Sequence, residues 1–390
     1  MNKNKSNFLQ KATPSLIAIL IGLLVGVLII ILTEPANASN AILQFFKGPF
    51  NRGWVGLGDL FYHVTPVLMT GLSVAFAYQT GLFNIGASGQ FLFGAFLAIL
   101  VGVKLKNVVP DNVRWIVSLL AAALGGGLVA SITGALKAYR NVNEVITSIM
   151  LNYTSMYVVN YLIKKWKIYN QLKNQTISPN TSIPKLGLDK IFPGTISGGG
   201  IILGILAVII LHIILKKTIF GFELKGVGLN RHGARYAGIS EKKSIVLSMA
   251  IAGVLAGLAG GMLYLAGAGN NITVENLLPN EGFDGIAISL LGLNEPIGVL
   301  LSAIFIAYLK MGGQAIQTLG FAPELITMII SLILYVSALS VLFNRFLSKK
   351  QKIDLSDNIN AIPIEVEPPK EDMESTDESM ESIVEKGDED

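Results

Sequence analysis

The segment that decides the fold is "GLFNIGASGQFLFGAFLAIL", residues 81–100. From residue 91 onward it is wholly apolar, yet its first half carries Asn84, Ser88 and Gln90 among glycines at 81, 86 and 89. A helix start inside hydrocarbon has no water to satisfy its polar groups, so amides placed there need a reason. Gly81 permits a break after the preceding apolar run, and Asn84 is placed to cap the helix that follows. Ser88, four residues beyond Asn84, then falls on the same helix face. Polar groups gathered on one face of a membrane helix point at protein or at a water-filled path, and both readings fit these three side chains.

The rest of the chain supports a membrane setting. Of its 390 residues 52% are hydrophobic and only 14% charged, against about 25% charged in an average soluble domain. Crossing the hydrocarbon takes about 20 helical residues. Candidate spans of suitable character cover residues 15–32, 60–77, 83–103, 113–136, 145–163, 201–215, 245–266 and 325–342. Two shorter apolar pieces, 285–293 and 297–309, are separated by "NEPIG", where Pro296 cannot continue a helix. They read as two half-helices meeting within protein, which gives ten membrane segments in all.

Residues 15–32 follow three lysines and precede "ANASNA", which imitates a signal-peptidase site. The run is longer than the usual core of a cleaved signal, so it is read as a retained first span. The chain therefore divides into an N-terminus at 1–14, a transmembrane domain at 15–346 and a tail at 347–390. That tail is dense in acid, with 14 of the 26 acidic residues after Ile353, and is too polar to bury a core.

The first 353 residues hold 28 bases and 12 acids. The bases lie scattered between spans, a pattern of membrane orientation rather than of a nucleic-acid surface. Placing both termini in the cytoplasm puts 16 of the 28 bases inside, seven of them between Lys216 and Lys243. Trp54, Trp115 and Trp166 then fall at outer span ends, where indole suits the headgroup region. The outer segment 164–200 is too polar for the bilayer and reads as a folded excursion.

Several chemistries are missing. There is no cysteine and no phosphate-binding G-x-x-x-x-G-K-[ST] loop, and His63, His212 and His232 stand apart from one another. No metal or cofactor site is indicated, and no nucleophile and base pair marks an enzyme. Gly253, Gly257 and Gly261 recur every four residues in one span and read as a close-packing stripe within the chain. No acid or base falls well inside a predicted span, which disfavours a zwitterionic solute. Asp59, Glu144 and Asp284, the acids an ion-coupled secondary transporter would need, all lie near span ends.

Four strings carry a family likeness: the opening one, "NEVITSIMLNY", "ARYAGIS" with "AGVLAGLAGGM", and "GFDGIAISLLGLNEPIGVL". Together they resemble the inner-membrane permeases of bacterial ABC importers for ribose, branched-chain amino acids and nucleosides. "LFNIG-x-x-GQ" and "NEVI-x-x-x-MLNY" are most similar to the nucleoside permeases. One departure is that similar permeases carry Glu where this chain has Ser88.

The resemblance implies an all-α helix bundle of the type II importer kind and a path for an uncharged nucleoside, with ribose or another simple sugar as the alternative. It implies ATP-binding cassette subunits inside, a solute-binding lipoprotein outside and a second, related permease chain. Amides and hydroxyls suit such a solute, so Asn84, Ser88, Gln90, Asn152 and Asp284 are candidates for the path. Residues 228–240, "GLNRHGARYAGIS", are expected to form a short helix on the inner face. It would present Asn230, Arg231, Arg235, Tyr236 and Ile239 to the ATPase, because positive-inside flanking does not explain Tyr236 and Ile239 in mid-loop.

Overall fold

The computed structural model describes residues 20–267, 269–333 and 335. The N-terminus at 1–14 and the acidic tail at 347–390 lie outside the described residues, as does the end of the last expected span. Described structure is almost entirely helical, and six helices are long and apolar enough to cross a membrane. These are α3 (Trp54–Tyr78), α4 (Ala87–Lys104), α5 (Asp111–Arg140), α8 (Gly200–Lys217), α11 (Glu241–Tyr264) and α13 (Pro296–Gln317).

The remaining helices are shorter or more polar. Helices α1 (Leu20–Thr33) and α14 (Pro323–Ile333) are apolar, and α1 packs Gly22 and Gly26 against Ile333 and Ile329 of α14. Helix α2 (Ala38–Lys47) packs on α13. Helix α6 (Glu144–Lys165) is 22 residues long but too polar to join the six. A short α7 (Leu188–Ile191) belongs to the polar excursion at 164–200, α9 (Ile219–Leu229) and α10 (Arg231–Tyr236) to the basic loop after α8, and α12 (Asn280–Leu291) follows α11.

Local chemistry sets the helix ends. Helix α5 starts after Pro110 and stops at Asn141, which takes a left-handed conformation (φ 51°), with Lys137 and Arg140 in its last turn. Two residues on, Asn143 starts α6 by accepting from the amides of Val145 and Ile146. Glu144 pairs with Lys137 at 2.8 Å across this tight connection. Most of the string "NxNEVI" is thereby accounted for as a helix-to-helix joint.

Helix α11 is the centre of the bundle, packed chiefly on α5, α4 and α3. Its glycine stripe explains the closeness: a Cβ built on Gly257 would lie 2.2 Å from the Ala122 carbonyl oxygen, and one on Gly260 2.2 Å from that of Phe91. The stripe is therefore used within the chain. On its opposite face α5 leaves Leu120, Leu124, Leu128 and Ile132 uncovered, an apolar row suited to lipid.

The polar excursion at 164–200 is folded. Strands β1 (Tyr169–Asn170) and β2 (Gln175–Thr176) pair, and Thr176 and Ile183 bond the backbone of Ile272 and Leu265. Asp59 of α3 is buried and ties it down, accepting from Thr195 Oγ1 (3.0 Å) and the Ile196 amide (2.9 Å) while pairing with Arg52.

One expected element is different. The piece expected at 297–309 is not a half-helix but the start of the 22-residue α13, with Pro296 in its first turn, where a missing N–H costs nothing. The helix runs past Leu309 to Gln317, and Lys310 within it pairs with Asp284 of α12. Of the two expected half-helices, α12, with 12 residues, is the one too short to cross.

Candidate functional site

A helix start leaves four backbone N–H groups without partners, and in hydrocarbon each needs one from protein. Helix α4 begins at such a place. Tyr78 ends α3, Gly81 turns the chain with φ +69°, and Leu82 to Gly86 run without helix until Ala87. Ala87 packs against Val74 of α3 and Ala256 of α11. Ala256 stands well inside the 24-residue α11, so the break lies within the bundle rather than at its edge.

The amides of the opening string hold this break together. Asn84 and Gln90 form a reciprocal pair, each side-chain amide donating to the other's oxygen at 2.9 Å. Asn84 also donates to Ser73 Oγ of α3 (3.1 Å), which itself donates to the Ala252 carbonyl of α11 (2.6 Å). Three helices and the break are thus joined by one hydrogen-bonded chain. Asn84 is not the cap expected from the sequence, because the helix starts at Ala87, beyond its reach along the chain, and Gly86 occupies the capping position. For the same reason Asn84 and Ser88 do not share a helix face.

The cap comes instead from another helix. Asn152, on α6, accepts from the Gly89 amide (2.8 Å) and donates to the Ile85 carbonyl (3.0 Å), closing both sides of the break with one side chain. Two strings of the sequence, "LFNIGASGQ" and "MLNY", therefore meet here.

A second helix start meets the first. Ser88 Oγ donates to the Pro279 carbonyl (3.0 Å), the residue before α12. A Cβ on Gly282 would lie 2.3 Å from Ser88 Oγ, so α12 touches α4 without a gap. Thr70 of α3 fixes the same start by donating to the Glu281 carbonyl (2.8 Å). Asn84, Ser88, Gln90 and Asn152 are all buried and bonded to protein. Of the five path candidates only Asp284 is partly open, and Lys310 pairs with it.

Lys310 lies within α13, so a charged pair does sit inside the bundle, contrary to the expectation from span boundaries. The argument against a zwitterionic solute loses its footing with it. Ser73, Thr70 and Lys310 were not singled out by sequence, although a lone hydroxyl in an otherwise apolar run was the available signal for the first two.

The basic loop between α8 and α11 contains the expected short helix, α10. Asn230 is spent as its cap, accepting from the Gly233 amide at 3.0 Å, and Ile239 is half-buried against the cluster around Ala234. Arg235 and Tyr236 face outward, with Tyr236 94% exposed, and Arg231 is half-covered. Leu229, 89% exposed beside them, was missed. Helix α9 carries this loop onto the break: Gly228 lies so close to the 79–81 turn that a Cβ would sit 2.3 Å from the Gln79 carbonyl. Gln79 in turn donates through Nε2 to the Asn294 carbonyl (3.0 Å) in the α12–α13 connection.

Comparison with known proteins matches this sequence to a transport family. The guanosine ABC transporter permease protein NupP of Bacillus subtilis is 37% identical over 86% of this chain and 96% of its own. The nucleoside ABC transporter permease protein NupB of Lactococcus lactis is 33% identical over 90% and 97%. The glucose ABC transporter permease protein TsgB13 of Haloferax volcanii is 30% identical over 75% and 78%. Each of the first two bacteria also has a second, more distant matching permease, at 27% and 26% identity. No solved structure matches the chain. Residues 56–339 match the family model described as the permease component of the branched-chain amino acid transport system, and the chain belongs to that family of multi-pass membrane permeases.

Proposed function

We propose that this chain is the permease subunit of an ATP-driven importer and forms the membrane path for a nucleoside. One observation carries the solute class: the two nucleoside-transport relatives are matched over almost their whole length. A simple sugar is the second reading, supported by the glucose permease relative. The partners in this reading are ATP-binding cassette subunits on the cytoplasmic side, a solute-binding lipoprotein outside and a second, related permease. The second nucleoside permease in each of two bacteria supports that last partner. Ten membrane segments of the type II importer arrangement, with both termini cytoplasmic, complete the proposal.

The geometry supports a coupling route. Arg235 and Tyr236, with Leu229 and Arg231 beside them, form the docking face for the ATPase. Its movement passes through α9 to the 79–81 turn at Gly228, and from Gln79 to the α12–α13 connection. Both short-range contacts feed the junction where α4 and α12 begin. Asn84, Ser88, Gln90 and Asn152 shape the path by holding that junction, and Asp284 borders it. In cells lacking this chain alone, uptake of labelled guanosine and uridine should be lost. Loss of ribose uptake with both nucleosides still imported would leave the sugar reading standing.

A further inference from the structure

Helix α6 differs from every other long helix of the bundle. Its 22 residues are about 33 Å long, enough to cross, yet it is not among the six apolar enough to do so. The reason lies in Asn152, Tyr153, Thr154, Ser155, Tyr157, Asn160 and Tyr161. Asn152 and Ser155 turn inward, whereas Tyr153, Tyr157 and Tyr161 are 50%, 58% and 61% exposed. The uncovered face of α5, by contrast, is leucine and isoleucine.

The three tyrosines recur at four-residue spacing, which sets their rings one above another at steps of about 6 Å. They run from the middle of α6 to its outer end, where Lys165 Nζ lies 5.5 Å over the Tyr161 ring. Among the described residues the side-chain hydrogen bonds of α6 are made by Thr147, Asn152, Thr154 and Asn160, and none by these hydroxyls. A headgroup-region belt accounts for a tyrosine near a helix end, but not for Tyr153 in the middle. There a phenol facing hydrocarbon would have its hydroxyl unsatisfied, at a cost of order 1–3 kcal/mol. The same side also exposes Ile146 and Met150 toward the start of the helix, so the tyrosine hydroxyls make a polar line on an otherwise apolar face, with no charge between Glu144 and Lys164. Such a line suits an uncharged partner with both apolar and hydroxyl-bearing parts.

We infer that Tyr153, Tyr157 and Tyr161 form the lane along which the base of the nucleoside moves, the rings stacking on the base and the hydroxyls meeting ribose. This rests on the nucleoside-importer reading and adds to it the residues that meet the base. Flat rings accept any base, with purines stacking over more area than pyrimidines. Tyr153 directly follows Asn152, so motion of the α4 junction is transmitted to the first ring of the lane.

The test uses the complete importer, expressed with its partner subunits in a host without nucleoside uptake. Initial rates are measured for labelled guanosine, uridine and ribose in wild type, Tyr153→Leu, Tyr157→Leu and Tyr157→Phe. Each leucine variant should lower the maximal guanosine rate about tenfold and uridine less, while the phenylalanine variant, which keeps the stack and loses only the hydroxyl bond to ribose, should lower it about threefold. All variants should co-purify with their partners at wild-type yield. Leucine variants transporting both nucleosides at the wild-type rate would overturn the lane and mark the face as lipid-facing. Loss of the second permease on purification, with the rate per assembled complex unchanged, would overturn it in favour of a subunit contact. A wild type that imports ribose but neither nucleoside would instead fail the importer reading itself, and the lane with it.

Discussion

Replacing Asn152 by alanine tests whether the amides serve the helix break or the solute. The substitution removes one acceptor, for the Gly89 amide at 2.8 Å, and one donor, to the Ile85 carbonyl at 3.0 Å. Each backbone group left buried without a partner costs about 1–3 kcal/mol. Hydrogen bonds between membrane helices average only about 0.6 kcal/mol by difference measurement, because the unfolded state in lipid also finds partners. Here two backbone groups are orphaned at once, the Gly89 amide in the first turn of α4 and the Ile85 carbonyl just before it, so the expected loss is about 2–3 kcal/mol. That corresponds to about 30- to 150-fold in the folded-to-unfolded ratio. The assay is equilibrium unfolding of the purified chain in mixed micelles, with Asn160→Ala as the control. Asn160 sits on the same helix and donates to the Glu275 carbonyl at its exposed edge, so its loss should cost under about 0.5 kcal/mol. An Asn152→Ala protein as stable as the control, with a raised half-saturation concentration for uptake, would refute the cap and make Asn152 a solute contact.

Three further substitutions probe the junction and its surroundings. Ser88→Glu, the residue found in similar permeases, places a longer acid against Gly282, which has no room for it. It should cut transport by at least about tenfold, as overpacking costs about 1–3 kcal/mol, and near-wild-type uptake would show that α12 can move aside. Lys310→Met strands Asp284 and should destabilise the chain by about 3 kcal/mol at most, given that both side chains are partly open, whereas adding Asp284→Asn should restore most of the loss. A double mutant no better than the single one would show that the pair is not coupled. Arg235→Asp with Tyr236→Asp should abolish ATPase stimulation while the permease stays in the membrane, and unchanged stimulation would remove α10 from the docking face.

The long apolar helices were legible from length and hydropathy, because α5, α8 and α11 carry little besides their apolar faces. The glycine stripe on α11 was also readable, since nothing but close packing explains four-residue glycine spacing there. Asn84 marked the right place but the wrong role: the non-helical break at 79–86 cannot be sized from sequence, and it put Asn84 too far from Ala87 to cap it. Asn152 was noticed for its polarity, while its cross-helix cap depends on α6 packing beside α4, which no local pattern encodes. Lys310 falls just beyond the expected piece at 297–309, and its pairing with Asp284 depends on α12 packing beside α13, which no local pattern encodes. On the inner loop, the short helix was foreseen, but Asn230 was diverted to capping it and Ile239 to the hydrophobic cluster beneath.

The central claim is that ATP drives nucleoside import through this chain. It is tested most directly by reconstituting the permease with its partner subunits in lipid vesicles and following entry of labelled guanosine supplied with the binding lipoprotein. The account predicts accumulation that requires ATP on the cassette side, is insensitive to collapse of sodium and proton gradients, and disappears with Arg235→Asp and Tyr236→Asp. Accumulation driven by an ion gradient without ATP would contradict it and identify an ion-coupled transporter instead.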